Sequence, residues 1–258
     1  MKVIVLVKEV PDTYGDRKLD LETGLADRRA SDAVLDEISE RSLEVALSYA
    51  DGHEDVEVVA LSAAPESAST TVRKALAMGA DRAVQVIDED LRGADIMLTA
   101  EVLAAAARME GFDLIVAGNT ATDGMSGMVP AALAEHLGVA LLSGLSAVEI
   151  ADSTVGGTRP VDGGVQRVSA SLPAVISITE ALPDGRFPSF KGIMAAKKKP
   201  LESLSLADLN VTVDNAVTPR SIMLSISERP PREAGIKIVD EGDAGERLAE
   251  FLIDNRLA

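Results

Sequence analysis

Four apolar-rich runs punctuate the first half of the chain: KVIVLV at 2–7, VEVVAL at 56–61, AVQVI at 83–87 and LIVA at 114–117. Each has the length of a strand. Runs of Val, Ile and Leu without alternation mark strands covered on both faces of a parallel sheet. The segments between them carry helical spacing. Residues 35–50 set Ile38, Leu43, Ala46 and Leu47 among charges. Pro65 breaks the chain before Ser67 and Ser69, which offer N-caps to a helix that Gly79 stops. An Ala-rich helix is expected over 94–109, ending at Gly111. Another, over 128–137, puts Val129, Leu133 and Leu137 on one face with Pro130 in its first turn. Strands alternating with helices predict a doubly wound, mostly parallel α/β sheet with right-handed crossovers. Ligands of such sheets lie beyond the carboxyl ends of the strands, where the strand order reverses. The loops after Val7, Leu61 and Ala117 reach that crevice.

The loop after the fourth run, GNTATDGMSG at 118–127, carries the strongest signal of chemistry. A strand that opens through a Gly-rich loop into a helix converges backbone N–H groups. The helix N-terminus adds partial positive charge, and together they make an anion site. Gly124 and Gly127 let the backbone approach a ligand closely. The plainer alternative is an ordinary strand-to-helix connection, and the loop exceeds the about 2–6 residues usual for one.

The second half changes pattern. Residues 139–150, 165–171 and 174–179 read as strands, separated by the turn-rich DSTVGGTRPVDGG, and Asp162-Gly163-Gly164 is a hairpin turn. Residues 183–195, PDGRFPSFKGIMA, hold two of the four Phe of the chain, Phe187 and Phe190. Either they tuck back onto the core or they form an exposed apolar anchor for a partner. The lysines at 197–199 read as a solvated face. After Pro200 the strand–helix alternation is lost: 207–215 is polar, 221–226 reads as an edge strand, and 245–257 is a short amphipathic helix with Leu248, Phe251 and Leu252. An α/β domain over 1–200 and a C-terminal arm over 201–258 are expected, the arm packing back or lying on a partner subunit.

The 258 residues suit one large α/β unit with an appendage. With 2% aromatic residues and no Trp, the core must be Val, Ile, Leu and Ala. The absence of Cys excludes disulfides, thiolate catalysis and thiolate metal sites. His53 and His136 alone leave little room for a His-based metal site or triad. No GxGxxG follows a strand, and neither GxxxxGK[ST] nor GxSxG occurs. No catalytic and no metal-ligating residue is expected, and binding is better supported than chemistry. No run reaches the ~18 apolar residues of a membrane span. Lys2, Lys8 and Glu9 around the first run mark a strand rather than a signal peptide, so a cytoplasmic location without membrane insertion is expected. A net charge of −17 repels nucleic acid and anionic membranes. Its scattered acidity fits a halophilic source or a merely acidic protein equally well.

Three stretches, in this order and spacing, resemble the β subunit of electron transfer flavoproteins. They are TVRKALAMGADRAVQV at 71–86, GNTATDGMSGMVPAALAEHLG at 118–138, and the run from DGG at 162–164 through LPAVISITEALPDGRFPSFKGIMAAKKKP at 172–200. The likeness extends from KVIVLVKEVPDT to PPREAGIKI, most of the chain. It implies a heterodimer whose α subunit holds most of an FAD. That FAD carries electrons from acyl-CoA and related dehydrogenases, as in fatty acid β-oxidation, to a membrane quinone oxidoreductase. The β chain is then an electron-carrier subunit without catalytic residues of its own. Its fold is a nucleotide-binding α/β sheet of the adenine nucleotide alpha hydrolase-like kind, which buries AMP in many members and a second FAD in electron-bifurcating ones.

By the same resemblance, nucleotide-lining positions fall on Leu6, Asp36, Ala63 and the loop Ala121, Thr122, Asp123, Gly124, Met125, Ser126, Gly127, Met128 and Val129. The dehydrogenase-docking loop falls on 183–195, with its apolar anchor on Phe190 and with Phe187, Ile193 and Met194 beside it. The arm over 201–258 packs on the α subunit. Met125 and Met128 stand where family loops often carry an acidic residue and a Gln. Asp36-Glu37-Ile38 stands where many members have Asn-Pro-Phe. Asp36 would repel a phosphate but accept hydrogen bonds from ribose hydroxyls. Two other readings remain: a β subunit of an NADH-dependent bifurcating complex binding a second FAD, and a stand-alone nucleotide-binding module like a universal stress protein, which needs neither the arm nor the Phe190 loop.

Overall fold

A computed structural model describes the chain apart from residues 16, 214–220, 222, 233 and 258. Strands β1 (Lys2–Leu6), β2 (Glu9–Pro11) and β3 (Ala33–Leu35) precede helix α1 (Glu37–Ala50). Next come β4 (Glu57–Ala63), α2 (Ser69–Met78), β5 (Arg82–Val86), α3 (Ile96–Glu110), β6 (Leu114–Gly118) and α4 (Val129–Leu137). The chain continues through β7 (Ala140–Leu145), β8 (Ala147–Ile150), β9 (Thr154–Val161), β10 (Gly164–Ser171) and β11 (Ala174–Ile178). Helix α5 (Phe190–Ala196), β12 (Leu201–Leu204) and α6 (Ala244–Asp254) complete it.

Seven strands form one sheet in the order β12-β5-β4-β1-β6-β11-β7, and every neighbouring pair is parallel. The chain starts in the middle, steps from β1 to β4 and β5, then crosses back to β6 on the other side of β1. The strand order therefore reverses between β1 and β6. Successive strand residues serve opposite faces. Val3, Val5, Val58, Ala60, Leu114 and Val116 join a core cluster with Leu43, Leu47 and Leu76 of α1 and α2. Ile4, Val59, Leu61, Ile115 and Val175 join a second cluster with Val102, Leu103 and Leu133 of α3 and α4. Burial on both faces explains the unbroken apolar runs.

Several expectations are corrected. The run 139–150 is two strands in different sheets: β7 is the edge of the large sheet, and β8 lies in a three-stranded antiparallel sheet of order β10-β9-β8. Gly144, the second-last residue of β7, takes φ +67 just before the chain leaves the large sheet. The stretch taken as turns contains β9, paired along its whole length with β10 across the expected turn at Asp162-Gly163. Beyond the expected domain boundary at 200, β12 pairs with β5 as the opposite edge of the large sheet, and Leu206 and Leu209 are buried in the second cluster. The compact α/β unit runs from Met1 to Leu224, and a second unit from Ser225 to Ala258 holds α6, none of whose residues is buried. Ser221 and residues 223–226 form no strand, and the Ser221 N–H and hydroxyl donate to the Asp95 carboxylate at 2.8 and 3.1 Å; residue 222 lies outside the described residues. Helix α2 takes no side-chain cap from Ser67 or Ser69. The Ser69 hydroxyl donates instead to the Glu66 carbonyl. Among the described residues no helix is long and apolar enough to cross a membrane.

Lys199 is not part of a solvated face. Its ammonium donates to the carbonyls of Leu76 (3.3 Å), Gly79 (3.0 Å) and Ala80 (2.6 Å), where α2 leaves acceptors free and its dipole is negative.

Candidate functional site

The carboxyl ends of β1 and β6 are adjacent, and side chains from three segments meet there. Asp36 precedes α1 and is fully buried, yet it does not cap its own helix. Its backbone N–H donates to the Lys8 carbonyl at 2.9 Å, which fixes it beside the end of β1. Its Oδ2 accepts the Thr122 N–H at 3.0 Å, 86 residues away. Helix α1 can sit this close because β6 ends in Gly118: a Cβ there would lie 2.5 Å from Ile38 Cγ2.

The loop is clamped by the long polar connection between β1 and α1. Lys8 Nζ donates to Asp123 Oδ1 at 2.6 Å, and Arg28 Nη2 lies 3.6 Å from Asp123 Oδ2. Arg17 donates to the Thr122 carbonyl. Burial pushes the Asp123 carboxyl up, but the bond and charge of Lys8, the Gly124 N–H and the charge of Arg28 outweigh it and hold its pKa below the ordinary value. For Asp36 burial wins: with the charge of Asp123 adding to it, its pKa is raised despite the Thr122 N–H, the Thr122 hydroxyl and the Ile38 N–H, which favour the charged form. Asp36 Oδ1 and Thr122 Oγ1 are buried without a hydrogen-bond partner. Asp36 Oδ1 can accept a hydrogen bond from a ligand or water, whereas the Thr122 hydroxyl carries its own proton and lies close enough to the Asp36 carboxyl to favour its charged form.

The raised pKa carries a stability cost with a definite sign. An acid whose folded pKa exceeds its unfolded one costs nothing in strong acid. The cost grows as pH rises from the unfolded to the folded value, and it persists at neutral pH. Asp36→Asn, which keeps an acceptor for the Thr122 N–H, is therefore expected to raise the melting temperature of the ligand-stripped protein at pH 7. The advantage should shrink towards pH 4. A melting curve at pH 7 no higher than the parent's would contradict this.

The remaining expected positions lie around these groups. Leu6 and Ala63 are the half-buried last residues of β1 and the neighbouring β4. Ala121, Thr122, Asp123 and Val129 are half-buried, whereas Gly124, Met125, Ser126, Gly127 and Met128 are exposed. Met125 and Gly127 take positive φ, 50° and 65°. The loop delivers Met128 to the N-cap of α4, which has no side-chain cap and no acidic residue in its first turn. That end keeps free N–H groups for an anion. The sequence marks Lys8 only as a flank of the first run and does not single out Arg17 or Arg28, which lie in the long polar stretch that follows.

On a separate face, the segment expected to be a loop to 195 becomes helix α5 at Phe190, capped by the Ser189 hydroxyl, which accepts from the Gly192 N–H at 3.1 Å. Its inner side is fixed on α2. A Cβ at Gly192 would come within 2.4 Å of the Ala77 carbonyl oxygen, Ala196 is buried, and Arg73 donates to the Ala196 carbonyl at 3.0 Å. The loop before it is fixed on α1: Arg186 pairs bidentately with Glu44 at 2.8 Å and reaches Asp51 at 2.9 Å. Phe187 and Phe190 are 96% and 81% exposed. Ile193 and Met194, three and four residues after Phe190, share its outward stripe and are also exposed. Phe187 and Phe190 do not tuck back onto the core.

Comparison with known proteins places the chain in a family. The electron transfer flavoprotein domain model matches residues 23–209. The chain is 44% identical to an electron transfer flavoprotein subunit β of Mycobacterium tuberculosis, over 99% of this chain and 98% of that one. It is 33% identical to the corresponding subunit of Bacillus subtilis, over 98% and 96%. It is 29% identical to the caffeyl-CoA reductase-Etf complex subunit CarD of Acetobacterium woodii, over 93% and 92%. A doubly wound sheet with this loop, matched along nearly its whole length, belongs to the electron transfer flavoprotein β-subunit family.

Proposed function

We propose that the chain pairs with an α subunit that holds an FAD, and that the heterodimer takes electrons from acyl-CoA or related dehydrogenases in the cytoplasm and passes them to a membrane quinone oxidoreductase. The flavin supplies the electron-carrying chemistry. The β chain contributes a structural nucleotide site and the docking face on α5, and its second unit is the arm that packs on the α subunit. The observation that carries the nucleotide reading is the pair Asp36 Oδ1 and Thr122 Oγ1, unpaired by hydrogen-bond geometry, on the loop that leads into the uncapped start of α4. They suit a ligand with hydroxyl donors at one end and an anionic group at the other, as AMP has. Asp36 takes the hydroxyl end, since a carboxylate repels phosphate. Residues 121–129 line the ligand. We extend the acidic surface to a salt-rich cytoplasm.

Family membership takes precedence over a stand-alone stress-protein-like module. A bifurcating subunit with a second FAD in place of AMP remains a second reading, favoured by the likeness to a subunit of a CoA reductase–Etf complex. The β chain produced alone is expected to be colourless, and the chain co-produced with its α subunit to purify as a yellow heterodimer. A stable yellow β chain with stoichiometric FAD would sink the AMP reading and favour bifurcation.

A further inference from the structure

The oxygens of the candidate site are shut away from solvent. Asp36 is fully buried, and its Oδ1 and the Thr122 Oγ1 have almost no surface open to water. A ligand reaches them only if part of the cover moves. The ends of β1 and β6 are fixed by their pairing in the sheet, and the start of α1 is fixed by the Asp36 N–H on the Lys8 carbonyl at 2.9 Å. The loop is the exception. Asn119 is tied to β11 through the Ile178 carbonyl at 2.8 Å. Beyond it, Thr122 and Asp123 are held by side chains of other segments: Asp36 on the Thr122 N–H, Arg17 on the Thr122 carbonyl, and Lys8 and Arg28 on Asp123. Lys8 is a fixed post among these. Its own N–H donates to the Ser39 hydroxyl at 3.3 Å, its carbonyl accepts from Asp36, and its ammonium lies 2.6 Å from Asp123 Oδ1. The Asp123 side chain is only 11% exposed. Without Lys8 that carboxylate is poorly compensated, and the movement that rehydrates it swings the loop into water.

Resting on the nucleotide reading, we infer that Lys8 is a positioning residue: through Asp123 it latches residues 120–128 over Asp36, and the nucleotide enters and leaves only as this latch opens. Lys8 is outside the positions expected to line the nucleotide, so its effect on the ligand passes through Asp123. Arg28 backs the latch, donating to the Glu9 carbonyl at 3.2 Å and lying 3.6 Å from Asp123 Oδ2. An ion pair between residues 115 apart holds the loop without any strand or helix having to break when it opens. The other role for a cation here is direct contact with the anionic end of the ligand. The Lys8 ammonium is already spent on a nearly hidden carboxylate, which favours the latch.

Hydrogen exchange of the Thr122 amide, followed by NMR on the full β chain stripped of nucleotide, reads loop opening without any ligand. Lys8→Met should speed this exchange about tenfold, the worth of one hydrogen bond to a charged group. The amides of Ile115 and Val175 in the sheet should keep the parent rate. Lys8→Arg should restore slow exchange at Thr122. Lys8→Met/Asp123→Asn should be no faster than the faster single change, because both remove the same pair. The co-purified heterodimer is then diluted and its nucleotide loss followed by mass spectrometry. Lys8→Met should release the nucleotide held by the β chain about tenfold faster. Unchanged Thr122 exchange overturns the inference, and if nucleotide loss is nevertheless faster, Lys8 is a direct ligand instead. Faster exchange throughout the sheet overturns it too, since Lys8 is then merely structural. Faster Thr122 exchange in a chain whose parent heterodimer holds no second nucleotide removes the nucleotide reading and the gate with it, while the loop contact stands. Should Lys8→Met fail to fold, Arg28→Gln loosens the same carboxylate and should speed Thr122 exchange about threefold.

Discussion

Replacing Phe190 by alanine is expected to weaken docking of the heterodimer on its dehydrogenase about thirtyfold, with no more than a small change in melting temperature or flavin spectrum. An exposed aromatic that fills a partner pocket typically costs ≥ about 2 kcal/mol on truncation, or roughly thirtyfold in affinity. A core Phe would instead cost ~3–5 kcal/mol of fold stability. The structure separates the two. The inner side of α5 is held by Gly192 against the Ala77 carbonyl, by buried Ala196 and by Arg73, none of which involves the ring of Phe190. The Ser189 cap accepts from Gly192 and survives the substitution. Melting curves and dehydrogenase-coupled flavin reduction on the same preparations give the answer. Early melting with normal reduction of the surviving protein would place Phe190 in the core.

The second large effect is structural and reaches the nucleotide site. Gly118→Val places a Cβ 2.5 Å from Ile38 Cγ2 and 2.6 Å from Cγ1, before the valine methyl groups are counted. Ile38 is buried in the first turn of α1, two residues after Asp36, so relief requires the start of α1 to move away from β6. Overpacking of this kind costs about 1–3 kcal/mol. At roughly 2–4 °C per kcal/mol, the melting temperature should drop by about 2–12 °C. The same displacement pulls Asp36 from the Thr122 N–H, so retained nucleotide should fall as well. Gly138→Ala is the control. Gly138 is left-handed at φ +68 with nothing within 4 Å of an added Cβ, so backbone strain of about 1 kcal/mol is its whole cost. Equal melting of the two variants would show that the close approach of α1 to Gly118 does not matter.

The central strands were legible because burial on both faces writes itself as Val/Ile/Leu runs, and Gly79, Gly111 and Gly138 do stand at helix ends. The edges were not. Strand β12 is four residues with two exposed, and only its pairing with β5 makes it a strand. Strand β9 carries Gly, Thr and Pro and is held by β8 and β10 on either side. The loop at 118–127 could be read from its glycines as one of three loops that reach the crevice, whereas the pairing of β1 with β6 puts it at the strand reversal. Its clamp could not: Lys8 and Asp123 are 115 residues apart, and nothing local connects them. Asp36 showed a further limit. Its sequence position is that of a helix cap, whereas its carboxylate holds a loop from the other half of the sheet. Helix α5 was hidden by the Pro, Gly and Ser around it, since its seven residues are stabilised by packing on α2 rather than by propensity.

The most direct test of the account is the identity and stoichiometry of the nucleotides released on denaturing the co-purified heterodimer, measured by mass spectrometry against protein concentration. The account predicts one FAD and one AMP per heterodimer, with AMP reduced in the Gly118→Val variant. Two FAD and no AMP, or FAD with no second nucleotide at all, would contradict it.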